Sequence, residues 1–444
     1  MMTMFAGAGC RRQARAERQW RRLVALCLAL VLAVAAPGPA FAQSAVSPTN
    51  RVVRSVVVRA GPGRASEAVG ALKPGDRAIL IGDLPGWFEI RLPNGVRGFV
   101  SKSWTSVGAP VTAALLTGPT RLHVIDVGTG LALFIDGPGF TMLFDAGSMD
   151  DKAKGPDNRV TAYLRAFRPD LSTIDHLVLS HPHQDHQELM PDIFDRYQVR
   201  NVWDSGRVQQ TGGYCRFLKK VEAEPGVIYH AALPDGMPHV VDFEAGSCTG
   251  KVTLAAVEAM TDQPVALAPG IQFTVLNRDS SPHSDPNGNS IVIRLDVGAR
   301  KILLVGDAEG GERKALGALP QANSIEGRLL EHPADIHADV LVAGHHGSLT
   351  SSRLIFLNAV GASVYIISAG PYPYSGVVLP DPEIRKELDR RGDLFSTDVQ
   401  DDECRTALAK VGKDHDGRPG GCSNILVTID PNQQLSAAYS AAHD

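Results

Sequence analysis

The sequence predicts an α/β protein: a large domain of strands alternating with helices, preceded by a small all-β barrel. Three observations lead there. Apolar residues make up 44% of the 444 residues and charged residues 21%, enough to bury a sizeable core and too apolar for global disorder. Short Val, Ile, Phe and Trp runs broken by Gly and Pro crowd residues 52–107. From residue 120 on, longer apolar runs alternate with polar, helix-compatible stretches.

Residues 1–42 read as an export signal. Six arginines (Arg11, Arg12, Arg15, Arg18, Arg21, Arg22) precede the apolar run Leu23–Ala36, which is followed by Pro37, Pro39 and Ala40-Phe41-Ala42. That order predicts cleavage after Ala42 and an exported protein, periplasmic or secreted. Fourteen apolar residues are too few to span a bilayer comfortably, and no other stretch is long enough. The whole chain has a net charge of −4. Residues 1–42 hold six of its 44 basic and one of its 48 acidic residues, so 38 and 47 remain and the body carries −9. An acidic body argues against loose, charge-driven binding to nucleic acid or anionic membrane. It leaves room for a local phosphate-ester site where bound cations set the field.

Cys10 and Cys27 leave with the signal, and Cys215, Cys248, Cys404 and Cys422 remain. An even number in an oxidising compartment predicts disulfides. Three pairings are open; proximity in the chain favours Cys215–Cys248 and Cys404–Cys422.

In the small domain, strands are expected at Val56–Val58, Ala78–Ile81, Trp87–Ile90 and Gly98–Val100, with turns at Gly61-Pro62-Gly63, Pro74-Gly75-Asp76 and Pro93-Asn94-Gly95. The domain is placed at 51–108 and a linker at 109–119. In the large domain, placed at 120–432 with a tail at 433–444, strands are expected at Leu122–Val127, Leu131–Ile135, Thr141–Phe144, His176–Leu179, Asn201–Trp203, Ile271–Leu276, Ser290–Leu295, Lys301–Val305, Ala338–Ala343, Val364–Ser368 and Ile425–Ile429. Helices are expected near 158–167, 186–195, 213–222, 309–318 and 381–391.

Several strand ends carry metal-type donors. After His176–Leu179 comes Ser180-His181-Pro182-His183-Gln184-Asp185-His186. Imidazoles and a carboxylate packed this closely suit zinc, iron or manganese. A tight loop can aim His181 and His183 at one metal and Asp185 and His186 at a second. The strand Lys301–Val305 runs into Gly306-Asp307, whose carboxylate can bridge two cations. Ala338–Ala343 runs into Gly344-His345-His346-Gly347-Ser348, where His345 or His346 can ligate, the other can contact substrate or leaving group, and Ser348 can bond a ligand. Asp145, after Met142-Leu143-Phe144, can hold a metal-bound histidine by its other ring nitrogen.

The order and spacing of these segments resemble the metallo-β-lactamase superfamily from about 120 to 430. Leu122-His123-Val124-Ile125-Asp126-Val127-Gly128-Thr129-Gly130, the stretch Asn289–Leu295, Leu303-Leu304-Val305-Gly306-Asp307, His345-His346-Gly347-Ser348 and Thr397-Asp398 resemble the ComEC-type competence hydrolase domain. Thr129 and Leu131 depart from that group's opening. The resemblance implies an αββα sandwich and hydrolysis, first of phosphodiester bonds, as in DNA degradation during uptake. It implies two divalent cations, zinc first and manganese as the alternative, held by His181, His183, Asp185, His186, Asp307, His345 and His346. Asp185, Asp307 and His346 are the catalytic candidates; Asp126, Asp145, Asn289 and Ser348 would support ligands or touch substrate. A metal-activated hydroxide would be the nucleophile. His230, His239 and His283 lie where the superfamily has a further histidine, yet none sits in a strand-end motif.

Val58-Arg59-Ala60-Gly61-Pro62, Leu72-Lys73-Pro74-Gly75-Asp76, Gly86-Trp87-Phe88 and Gly98-Phe99-Val100 resemble the bacterial SH3 domain family. That implies a small SH3-like barrel which binds a cell-wall peptide or serves only as a rigid spacer. The substrate would be a phosphodiester-containing molecule, nucleic acid or a cell-envelope polymer. Two alternatives stay open: an amide, lactone or β-lactam hydrolase on the same fold, and a cell-wall-binding protein with a structural metal.

Overall fold

The computed structural model describes residues 43–49, 51–74, 76, 78–92, 96–111, 118–151, 155, 158–244, 246–398 and 423–439. They fall into two compact units, divided between Thr112 and Ala113. The expected signal, Cys404 and Cys422 lie outside the described residues.

The first unit is one seven-stranded sheet. Its order is Ala68–Leu72, Val56–Arg59, Arg97–Ser101, Trp87–Arg91, Ala78–Leu84, Gln43–Pro48 and Thr105–Val111. Alternation explains the Val56-Val57-Val58 run: Val56 and Val58 are buried and Val57 is exposed. Two strands reach past the expected limits of 51 and 108. Gln43–Pro48 and Thr105–Val111 pair antiparallel with each other, so each satisfies the other's backbone groups.

The second unit holds two large sheets. The first runs Val257–Ala259, Ile228–Ala231, Gln198–Asp204, Thr173–Leu179, Phe140–Ala146, Ala132–Gly137, Thr120–Val124, Ile425–Ile429 and Leu435–Tyr439. The second runs Val265–Ala268, Ile271–Asn277, Val292–Val297, Arg300–Leu304, Val340–Val342, Val364–Ile367 and Asp393–Ser396. Each sheet is parallel in one half and antiparallel in the other.

The period of two in the strands sorts side chains into layers. Val178 and Leu304 join Phe144, Phe273 and Ile293 in a core between the sheets. Their neighbours Leu177 and Leu303 point outward. Leu177 packs with Val160, Leu164 and Phe217 of helices Arg159–Phe167 and Gly212–Ala223. Leu303 packs with Ile325, Leu357 and Leu388 of helices Ile325–Leu329, Leu354–Val360 and Pro382–Arg391. Helix, sheet, sheet and helix form four layers, each buried Leu or Ile contributing about 1.5–3 kcal/mol.

Three expectations change. No helix forms at 309–318, which is bends and turns. Gly311 has φ 120°, and the buried Arg353 guanidinium binds the carbonyls of Glu312, Lys314 and Ala315 in place of a helical ladder. The expected helix 186–195 is two short ones, Gln184–Gln187 and Met190–Phe194, because the Leu189 N–H is drawn to the Ala146 carbonyl at 2.9 Å and Pro191 starts the second. The expected tail at 433–444 contains the edge strand Leu435–Tyr439, paired along Ile425–Ile429.

A disulfide joins Cys215 on helix Gly212–Ala223 to Cys248, with their Cα atoms 5.9 Å apart. Non-reducing peptide mapping of the purified protein is expected to recover that pair. Free thiols at both positions would refute it.

Candidate metal centre

The candidate ligands gather at the C-terminal ends of the parallel strands, where open α/β sheets bind ligands. Phe140–Ala146 brings Asp145, and Thr173–Leu179 leads into residues 180–186. Arg300–Leu304 leads to Asp307, and Val340–Val342 to His345 and His346. The backbone is bent sharply to aim these groups: φ is 58° at Asp145, 48° at His345 and 53° at His346. Left-handed backbone at a non-glycine residue costs about 1–3 kcal/mol and clusters at functional sites. Gly147 lets the metal loop pass, since a Cβ there would stand 2.2 Å from Asp185 C and His186 N.

Two groups of donors form. Asp185, His186, Asp307 and His346 make one, and His181, His183 and Asp307 the other; within each, the ligand atoms lie within 4.8 Å of one another. Asp307 belongs to both. Its Oδ1 is 3.2 Å from His186 Nε2 and 3.7 Å from His346 Nε2, while its Oδ2 is 3.7 Å from His181 Nε2.

The remaining nitrogens are held from behind. His186 Nδ1 meets Asp145 Oδ2 at 2.7 Å, and His346 Nδ1 meets the Ser368 carbonyl at 2.8 Å. Asp145 itself accepts the Ser180 N–H at 2.7 Å on Oδ1 and the Ser180 hydroxyl at 2.6 Å on Oδ2. A proton held at Nδ1 leaves the Nε2 lone pair of each histidine for a cation.

Electrostatics favour charge separation within the cluster. Burial opposes a charged His186, but the carboxylates of Asp307, Asp145 and Asp185 outweigh it and hold the imidazole well above its ordinary range. Burial also opposes a charged Asp307, and His186, His346 and His345 overcome it, keeping the carboxyl well below the usual range. Burial and the neighbouring His186 push His181 the other way, well below its ordinary value.

The donor set fits divalent cations. His186 Nε2 and Asp307 Oδ1 are buried and face each other at 3.2 Å as an ion pair, with no well-aligned hydrogen bond between them. A cation there would take the place of the His186 proton and keep both buried atoms satisfied. Mixed imidazole and carboxylate donors suit zinc, iron or manganese.

Other expected residues take different places. His345 stands outside both groups. Its Nδ1 bonds Thr350 Oγ1 at 2.7 Å and Glu309 Oε1 at 3.0 Å, and its Nε2 lies 3.9 Å from Asp307 Oδ2. Burial opposes its charge, but Asp307 and Glu309 prevail and push its pKa up to about 9. The left-handed turn at both histidines splits the pair, sending only His346 into a ligand group.

Asn289 turns away to hold a loop, its Nδ2 donating to the Asp279 and Ser281 carbonyls at 2.8 Å each. Its neighbour Ser290 is the one in touch with the centre: Oγ is 3.4 Å from His181 Nδ1 and accepts the Asp307 N–H at 3.2 Å. Asp126 braces the fold, accepting from Gly128 N at 2.9 Å and Ser423 N at 3.0 Å. Ser348 Oγ is engaged with Thr350 and Arg313.

His230 stacks on Trp203, His239 on Tyr229, and His283 pairs with Asp279. Sequence reasoning missed Ser290, Glu309 and Tyr374, whose hydroxyl donates to Asp185 Oδ2. Glu309 lies two residues past Asp307, a signal that was available; Tyr374 comes from a loop with none.

Sheets, layers and ligand groups together define a metallo-β-lactamase-type domain. The metallo-β-lactamase superfamily matches residues 125–207, and the bacterial SH3 domain family matches residues 54–106. Parts of the chain thus resemble a bacterial SH3 domain and, after it, a metallo-β-lactamase domain, and stretches of it are similar to competence proteins. It is 33% identical over 102 residues to Competence protein ComA of Neisseria gonorrhoeae, covering 23% of this chain and 13% of that protein. It is 23% identical over 269 residues to ComE operon protein 3 of Bacillus subtilis (strain 168), covering 57% of this chain and 29% of that protein. The aligned region thus spans less than a third of either relative. Among solved structures, the metallo-β-lactamase fold protein YhfI from Bacillus subtilis aligns with TM-score 0.34 and 13% identity, over 63% of this chain and 97% of that one.

Proposed function

We propose that this chain is an exported, metal-dependent hydrolase of phosphodiester bonds in nucleic acid or a cell-envelope polymer. One observation carries the reading: Asp307 is shared by two ligand groups, one on each of its oxygens. Two divalent cations, zinc or manganese, supply a nucleophile at neutral pH when bound and polarise the scissile bond. His181, His183 and Asp307 would hold one, and Asp185, His186, Asp307 and His346 the other. Asp145 fixes the ring of His186. His345, outside both groups and braced by Glu309, faces the substrate or leaving group.

The order of residues in 1–42 and the Cys215–Cys248 disulfide support export. Among the described residues no helix is long and apolar enough to cross a membrane. The SH3 unit is assigned to cell-wall peptide.

Metal-loaded protein is expected to hydrolyse bis-p-nitrophenyl phosphate and to leave a chromogenic β-lactam intact. A chelator should abolish turnover, and added zinc or manganese should restore it. Cleavage of the β-lactam alone would move the assignment to amide chemistry. Metal uptake with no turnover of nucleic acid, envelope polymer or either small substrate would leave a structural metal.

A further inference from the structure

The loop 371–378, between strand Val364–Ile367 and helix Pro382–Arg391, is mostly exposed. Pro371, Tyr372, Pro373, Ser375, Gly376 and Val378 all face solvent. Tyr374 alone reaches the metal cluster. Its hydroxyl donates to Asp185 Oδ2, and its ring lies parallel to His346, with centroids 6.0 Å apart and planes 9° apart. Asp185 Oδ2 is the oxygen turned toward the cluster, 3.2 Å from His346 Nε2 and 3.8 Å from His186 Nε2. One side chain therefore touches both Asp185 and His346.

The loop is built to hold that side chain in place. Tyr374 and Val377 exchange backbone hydrogen bonds at 2.8 and 2.9 Å across a turn with φ 49° at Ser375 and 86° at Gly376. Tyr372 N donates to Thr129 Oγ1 at 2.8 Å, tying the loop to the segment after Val127. The Tyr372 ring meets the Tyr374 ring edge-on at 5.9 Å.

We propose that Tyr374 is a positioning residue for the Asp185–His346 half of the centre. A carboxylate ligand can rotate and offer either oxygen. The phenol fixes Oδ2 toward the cation, and the ring backs the plane of His346. The assignment rests on reading the cluster as a metal centre. Hydrogen bonds to a ligating group typically change metal affinity or activity by about 10–100-fold.

Tyr374→Phe keeps the ring and removes the donor; Tyr374→Leu removes both. Calorimetric titration of the metal-free full chain with Mn²⁺ is expected to show one site, that of Asp185, His186, Asp307 and His346, weakened about 10–100-fold in Tyr374→Phe and further in Tyr374→Leu, with the other unchanged. With bis-p-nitrophenyl phosphate, kcat should fall while KM stays. A wild-type chain that takes up no cation overturns the metal centre and this assignment together. Wild-type uptake with unchanged affinities in Tyr374→Phe overturns the assignment alone. So does a raised KM at constant kcat, which would make Tyr374 a substrate contact, or a lowered melting temperature with metal binding intact.

Discussion

Asp307→Asn is expected to empty at least one cation position and to reduce phosphodiester hydrolysis by orders of magnitude. The substitution keeps the size of the side chain and removes its charge. In the folded protein Oδ1 faces His186 and His346, and Oδ2 faces His181. An amide offers one oxygen and one NH2, so one of the two groups loses its shared donor and meets N–H instead. The charge matters as well. Asp307 sustains the charged form of His186, and its carboxyl is kept well below the usual range by His186, His346 and His345. A carboxylate whose folded pKa is depressed adds stability above its unfolded pKa, which is lost as pH falls through the folded value. The metal-free variant should therefore melt lower than wild type at neutral pH, with the gap closing in acid. Elemental analysis, turnover and melting decide the matter together. Full metal content with full activity in Asp307→Asn would end the two-cation reading.

How far the site was legible in the sequence depended on where each residue lies relative to a strand end. His181, His183, Asp185, His186 and Asp307 follow apolar runs by two to seven residues, and both runs lie in strands, Thr173–Leu179 and Arg300–Leu304. An abrupt change from apolar residues to histidine or aspartate is visible without any tertiary information. Tyr374 could not be seen this way. It sits in an exposed loop between Pro373 and Ser375, and only the fold brings it onto Asp185. The paired histidines were equally ambiguous, because their separation comes from two successive left-handed residues.

The fold shows the same division. The buried strands were legible because parallel strands covered on both faces read as continuous apolar runs. Short edge strands such as Val257–Ala259 and Val265–Ala268 were not, because runs of three and four residues are too short to show a period. The missing helix at 309–318 is a tertiary override. A buried arginine forty residues on captures the carbonyls that a helix would use, and Glu326 in turn accepts the Arg353 N–H.

Asp145→Asn is expected to lower metal affinity and turnover by about 10–100-fold, a smaller effect than at Asp307. Asp145 accepts on both oxygens: the Ser180 N–H on Oδ1, and the Ser180 hydroxyl and His186 Nδ1 on Oδ2. An asparagine can be placed two ways, and each fails differently. With its NH2 toward Ser180, the buried Ser180 N–H loses its acceptor, at a cost of about 1–3 kcal/mol. With its NH2 toward His186, the neutral imidazole must accept at Nδ1 and carry its proton on Nε2. That proton then points at Asp307, where the lone pair should meet the cation. The first placement lowers stability and spares the ligand; the second spares stability and disables it. Thermal melting and a Mn²⁺ titration of Asp145→Asn separate the two. Wild-type melting and wild-type affinity in one protein would show that Asp145 does not orient His186.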